Sequence, residues 1–430
     1  MIATLRNAWK VDEIRKKLLF MMFIILIYRL GNAVTVPYVD TVKMSLYFQS
    51  QMSNTILALM NTMSGSALER ASIFALSIQP YINASIIIQL LTVAIPALER
   101  LRKDGGEDGK KKIEKITRYS TIGIAVLQGY AYYVLIQQNN ILDSSAQGNF
   151  WAPIVVIATF ITGSALLMWM GEQITEFGIG NGISVILFVS IVARFPSEII
   201  RMVADVMVNP GNWWIYVLML LGALAIIVLI VIVNASERRI PVQYSKRVVG
   251  RKMYGGQSTH LPMKVNMSGV LPIIFAQSIA SIPATIAVFV PAWKDSWFMK
   301  LFDTTSVAYM IIYFLLIVFF SYFYSTVQFN PIEIANNLKK NGGFIPGFRA
   351  GKPTSEFIQK VLTKITLFGA LYLAIIAITP ILIARFSETA KNSGIQLGGT
   401  SVIIVVSVAL ETIKQLESQL LMRHYKGFLE

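Results

Sequence analysis

The chain has 430 residues, 55% of them hydrophobic and only 14% charged, with a formal net charge of +15 and a mean hydropathy of +0.59. Soluble domains carry about 25% charged residues, so this balance excludes a water-soluble globular protein. There is no cysteine, which removes disulfide staples and thiolate metal sites from consideration.

Ten stretches are long and apolar enough to cross a hydrocarbon core, which takes about 20 helical residues. They lie near 18–36, 72–97, 120–138, 153–171, 182–203, 213–233, 269–290, 307–328, 362–383 and 398–416. The first, in RKKLLFMMFIILIYRLGNAVTVP, has the basic front and apolar middle of a signal peptide. No small-x-small cleavage site follows it, so it is read as a retained span.

The second stretch contains Gln79-Pro80-Tyr81-Ile82-Asn83 at its centre. Pro80 has no amide N–H and clashes with the preceding turn, and lipid does not tolerate the backbone groups a broken helix frees. Two readings fit: a simple proline kink in a full span, or a half-helix that folds back into a cavity. Ser66 and Glu69 in NTMSGSALERAS form an S-x-x-E pattern, the signature of a capping box, which favours a short capped helix before the break. Ile78, Ile82 and Ile86 fall close to one helical stripe, with Asn83, Ser85 and Gln89 on other faces. Polar side chains at this depth serve as interhelical glue or as a seam that opens. Ile183, Leu187, Ile274 and Ile404 add apolar side chains in later spans. By spacing alone all of these are ordinary core residues.

Two loops are long, 234–268 and 330–364, and both are rich in glycine, proline and basic residues. They fit either positive-inside anchoring or a docking surface for something anionic. Placing the N-terminus in the cytoplasm puts 29 of the 38 lysines and arginines on that side, so both termini are expected there. The expected fold is an all-α polytopic membrane protein with ten transmembrane helices in two inverted five-helix halves around a central pore. The divisions are 1–233 (spans one to five plus span six), the loop 234–268, and 269–430 with spans seven to ten. The halves share no convincing sequence identity, so the repeat rests on span count.

Span centres carry no Asp, Glu or His, which opposes a proton-coupled transporter but leaves sodium coupling through backbone carbonyls open. His260 and His424, the only histidines, sit outside the spans and outside any metal-spaced cluster. GGEDGKKK is one residue short of a phosphate loop and lacks its Ser or Thr, and GIGNG follows no strand. No enzyme chemistry, metal or cofactor is expected. A secondary transporter and an intramembrane enzyme remain as competing classes, each needing a midplane polar site.

Several motifs are long enough to carry a resemblance: LERASIFALSIQPYINASIIIQLLTV, GEQITEFGIGNGIS, YGGQSTHLPMKVNMSGVLP, FNPIEIANNLKKNGGFIPGFRAGKPT and GGTSVIIVV. In order, from about Lys16 to Tyr425, the chain resembles the bacterial SecY family, the channel subunit of the general secretion translocon. That resemblance implies a passive, gated channel in the bacterial plasma membrane that exports unfolded preproteins and releases membrane segments sideways into the lipid bilayer. It implies a constriction ring of Ile78, Ile82, Ile183, Leu187, Ile274 and Ile404, with Leu187 standing where isoleucine is frequent. It implies a plug at Ser64, Gly65, Ser66, Ala67, Leu68, Glu69 and Arg70. A lateral gate would be lined by Asn83, Ile86, Gln89 and Ile282. The basic loops, with Arg238, Arg239, Lys246, Arg247, Arg251, Lys252, Lys339, Lys340 and above all Arg349, would dock the SecA ATPase and the ribosome with its rRNA. SecE and SecG small subunits and preprotein signal sequences complete the implied partners.

Overall fold

The structure, a computed structural model, describes residues 2–426 apart from 49–55, 147–148, 245–246, 250–251, 255–257, 290–295, 298–300, 303–305 and 387–398. Lys246 and Arg251 therefore lie outside the described residues. The first part of the chain forms α1 (Ile2–Lys10), α2 (Asp12–Gly31), α3 (Thr41–Tyr47), α4 (Ile56–Met63), α5 (Gln79–Ala94), α6 (Pro96–Asp104) and α7 (Gly106–Gln138). Then come α8 (Trp151–Phe177), α9 (Gly182–Val192), α10 (Phe195–Val208) and α11 (Trp213–Ala235). After a hairpin follow α12 (Leu271–Phe289), α13 (Val307–Gln328), α14 (Pro331–Lys340), α15 (Lys352–Phe386) and α16 (Gly399–Lys426).

Among the described residues six helical runs are long and apolar enough to cross a membrane. They are α7, α8, Gly182–Val208, α11, Val307–Lys340 and Lys352–Ile383; a bent pair beginning with α5 makes a seventh. The other three expected spans form α2, α12 and α16. Charges crowd the start of α2, from Asp12 to Lys17, and the second half of α16 at Glu411, Lys414 and Glu417. The helices pack in a chain of neighbours: α5 on α7, α7 on α8, α8 on α9, α9 on α16, α16 on α15, α15 on α13 and α13 on α12, with α11 on the side of α16. α12 also packs on α5 and α7, which joins the two ends of that chain. α11 leaves Leu218, Leu221, Leu224 and Val228 exposed, as a helix facing lipid does.

Three expectations change. First, the fold is not purely α. The hairpin holds β1 (Glu237–Tyr244), β2 (Arg247–Val249), β3 (Lys252–Tyr254) and β4 (Ser258–Lys264). β1 pairs antiparallel with β4 from Glu237↔Lys264 to Gln243↔Ser258, and β5 (Gly343–Phe344) adds to the other edge of β1. In ERRIPVQY the apolar residues alternate, so Ile240 and Val242 turn inward together. With Met263, Ile345, Ile358 and Leu362 they form a separate core, so the two long loops fold into one body.

Second, 72–97 is not one span. α5 starts at Gln79 with Pro80 in its first turn, where the missing N–H costs nothing because no partner awaits it. This sets aside the kinked-span reading. α5 runs 16 residues, about 24 Å, before the chain bends by 103° into Pro96–Arg102.

Third, no capping box forms at Ser66. Gly65, Ser66, Ala71 and Ser77 all have positive φ, which an α-helix of L-residues cannot carry. Glu69 pairs with Asn61 instead: its amide donates to Asn61 Oδ1 at 3.1 Å, and Asn61 Nδ2 donates to its carboxylate at 3.3 Å. Residues 64–78 follow a winding path tied to 34–36 by Val36 N–H to Ala71 O and Ile73 N–H to Val34 O.

Candidate functional site

The six aliphatic residues come from helices far apart in sequence, yet the fold brings them together. Ile78 caps α5 and Ile82 lies one turn on; Ile183 and Leu187 share a face of α9; Ile274 opens α12 and Ile404 lies early in α16. Ile78, Ile82, Leu187, Ile274 and Ile404 belong to one buried cluster, against which Ile183 packs partly buried. The position of α9 is fixed by a tight corner. Asn181 caps it, accepting from the amides of Ile183 and Ser184, and Gly182 N–H donates to Thr175 Oγ1 at 2.8 Å. Gly182 is required there because a Cβ would lie 1.9 Å from the Gly171 carbonyl oxygen of α8.

Cavities lie on both sides of this cluster. One of about 410 Å³ has Ser184, Leu187, Ile274, Ile404, Lys264 and Lys414 in its wall. Another of about 410 Å³ is lined by Ser66, Glu69, Arg70, Arg194, Glu198 and Arg201. Ser184 and Arg194 are ten residues apart along α9 and its end, about 15 Å at helical rise. One cavity thus opens at the Ser184 end of α9 and the other at its Arg194 end, with the buried aliphatic cluster along the helix between them.

The 64–70 segment enters that cluster from the second cavity. Ala67 joins the central cluster, and Leu68 joins a neighbouring one with Val36, Met44 and Phe160. Ser64 is buried, Glu69 half-buried and Arg70 exposed. Gly65 sits on Ser190 so closely that a Cβ would lie 2.9 Å from its carbonyl oxygen. Tyr28 Oη lies 2.6 Å from Ser190 Oγ and donates to the Ser64 carbonyl at 3.3 Å, while Gln79 Nε2 donates to Met63 Sδ at 3.4 Å.

Of the residues named for the gate, Ile86 is buried, Asn83 and Gln89 are half-buried and Ile282 is exposed. Gln89 donates to Ser85 Oγ at 3.2 Å. Both line a cavity of about 490 Å³ between α5, α7 and α8, beside Arg118 and Glu172, which pair at 2.7 Å. α12, which packs on α5, buries Gln277 and Ser278, whose Oε1 and Oγ have no partner among the described residues. Neither was singled out in the sequence, where both read as span residues without a motif.

Arg238, Arg239, Lys339, Lys340 and Arg349 are all exposed on the body formed by the two loops. Arg239 is paired with Glu237 at 2.7 Å. Arg247 stands opposite Tyr254 and Lys252 opposite Val249 in the β2–β3 ladder. Arg349 sits between Gly347 and Gly351, both at positive φ, and its carbonyl accepts from Thr354 Oγ1 at 2.8 Å. Its neighbour Phe348 packs on Phe357 with ring centres 4.3 Å apart, so the tip is held rather than free.

One feature escaped sequence reading. Arg194 and Glu198 sit in no motif, yet their side chains are 10% and 7% exposed and paired at 2.8 Å. The i,i+4 spacing was the available signal.

The sequence profile of the SecY family matches residues 72–413. A Streptomyces scabiei protein translocase subunit SecY is 44% identical over 443 residues, with the whole of both chains covered. The chain belongs to the SecY family. A SecY structure described by its plug domain, which stabilises the closed state of the translocation channel and maintains a membrane seal, matches with a TM-score of 0.65 at 15% identity. The match covers 94% of this chain and 92% of that one. Sec61 in a canine ribosome–channel complex matches with a TM-score of 0.60 at 15% identity and the same coverage. As a SecY protein the chain is a multi-pass membrane protein and a protein-conducting subunit of the translocase, not an enzyme.

Proposed function

We propose that the buried aliphatic cluster along α9, between the two cavities, is the closed constriction of this channel. Ile78, Ile82, Ile183, Leu187, Ile274 and Ile404 form the ring, and residues 64–70 are its plug. The observation that supports this reading is a cavity at each end of α9, one reaching Leu187, Ile274 and Ile404 and the other lined by Ser66, Glu69 and Arg70, with the buried cluster that holds the six residues along the helix between them. A narrow apolar ring seals by dewetting and gives a passing chain nothing to bind.

Ten spans in two inverted halves, 1–233 and 269–430 with the 234–268 loop between them, would surround the ring. α5 against α12 would be the seam that parts, with Asn83, Ile86, Gln89 and Ile282 along or beside it. A hydrophobic signal segment leaves through such a seam because burying its apolar surface is worth about 25 cal/mol per Å². The channel would lie in the bacterial plasma membrane with both termini and the basic body in the cytoplasm, braced by SecE and SecG. Arg349 and the exposed basic residues around it would dock the SecA motor and the ribosome, where phosphate-rich RNA rewards positive charge. No cofactor is needed, since the motor supplies the work.

Planar-bilayer conductance of the purified protein, intact and lacking residues 61–70, tests the reading. A quiet intact channel and a deletion that flickers with large currents support ring and plug together. An equally quiet deletion overturns the assignment of the plug.

A further inference from the structure

The segment proposed as plug is held by polar links as well as by packing, and their arrangement is unequal. Arg194, just past the end of α9, donates through Nη1 to Thr62 Oγ1 at 2.6 Å and through Nη2 to Glu198 Oε1 at 2.8 Å. Thr62 lies in the last turn of α4, two residues before the segment, so it moves with the root of the segment, whereas Arg194 and Glu198 both belong to the α9–α10 wall. If the segment leaves, Arg194 keeps its ion pair. Release therefore breaks one charge-assisted hydrogen bond and strands no buried charge, the outcome that would make separation costly.

A second link is weaker. Tyr28 Oη contacts both Ser190 Oγ and the Ser64 carbonyl, and Ser190 Oγ also donates to the Ile186 carbonyl at 2.7 Å. Two hydroxyls own two protons for three contacts, so one contact always goes without, and the 3.3 Å bond to Ser64 is the longest. Both links sit at the end of α9, the helix that carries Ile183 and Leu187.

We propose that Arg194, held in place by Glu198, is a releasable latch on Thr62, with Tyr28 as a secondary catch, and that these links set how readily the resting channel opens. This rests on reading residues 64–70 as the plug, with the end of α4 as its root. Arg194 is a positioning residue here, touching that root and not the translocating chain.

The test uses the full-length protein in planar bilayers with no substrate. Thr62→Val keeps shape and the Arg194–Glu198 pair while deleting the acceptor; it should raise resting open events about tenfold, the worth of one hydrogen bond to a charged group. Tyr28→Phe, which keeps the ring stacked on Phe74, should raise them about threefold. Thr62→Ser should restore the quiet state, which a purely structural role for the methyl group would not produce. If Thr62→Val and Tyr28→Phe stay quiet while deletion of 61–70 leaks, the latch is wrong and the plug stands. If the deletion is quiet as well, the plug reading fails and takes the latch with it.

Discussion

Replacing Gly182 by alanine tests whether the α8–α9 corner holds the constriction together. The added Cβ would meet the Gly171 carbonyl oxygen at 1.9 Å and Ile174 Cβ at 2.7 Å. The oxygen is helix backbone and also accepts from Thr175 Oγ1 at 2.9 Å, so it cannot swing aside. Real Cβ contacts essentially never fall below 3.0 Å, so α9 must retreat from α8 by at least about 1 Å. Overpacking of this kind costs about 1–3 kcal/mol. Because Ile183 and Leu187 follow within five residues, the retreat also moves two of the six ring side chains. Gly222→Ala is the internal control: nothing lies within 4 Å of its Cβ, and alanine in an exposed helix gains up to about 1 kcal/mol over glycine. Thermal unfolding in detergent should rank Gly182→Ala below the parent and Gly222→Ala at or above it, with resting conductance raised only in the first. Should Gly182→Ala melt with the parent and stay quiet, the corner does not position the ring.

Two other outcomes are expected. Arg349→Glu should cut preprotein export about tenfold or more by reversing charge at the docking tip, with protein level and membrane insertion normal; unchanged export removes Arg349 from docking. Asp143, in the loop after α7, accepts from Ser145 Oγ and from Ser144 N–H and Oγ, which hold its carboxyl below the usual range. A group lowered on folding orders its loop fully above the ordinary carboxylate value of about 3.9, and that order fades as pH falls through the folded value. Hydrogen exchange at the Ser144 amide should therefore quicken only on acidification below about pH 4, and Asp143→Asn should abolish the pH step; a step that survives the substitution assigns it elsewhere.

The broken span was legible because proline acts locally: Pro80 forced a break, and only its form, a helix start after a winding segment, needed the fold. The S-x-x-E pattern at Ser66 misled for the complementary reason. Its residue types suit a cap, but Ser66 and Ala71 adopt positive φ under contacts with 34–36 and α9 that no local window contains. Periodicity marked Ile78, Ile82 and Leu187 as buried and could go no further, since a ring assembled from α5, α9, α12 and α16 is a fact about tertiary contacts. Resemblance supplied the six residues, and the fold gathered them. ERRIPVQY alternates and could have marked β1, whereas β5, from a segment some 80 residues beyond β4, left no local trace of its pairing.

The three-stranded sheet also has a mechanical side. β1 follows α11 almost directly, β4 leads into α12, and β5 lies between α14 and α15. A load applied to this body is therefore shared among four helices, and it reaches Ile274 only ten residues beyond the end of β4. The hairpin is closed at its root by Val265 N–H to Ser236 O at 3.0 Å, and Gly369 of α15 lies so close that a Cβ would be 2.9 Å from the Val265 carbonyl oxygen. Spreading the strands at that root would break this bond and press Val265 against α15. The closed root and the short link to α12 therefore couple the sheet and the start of that helix as one unit.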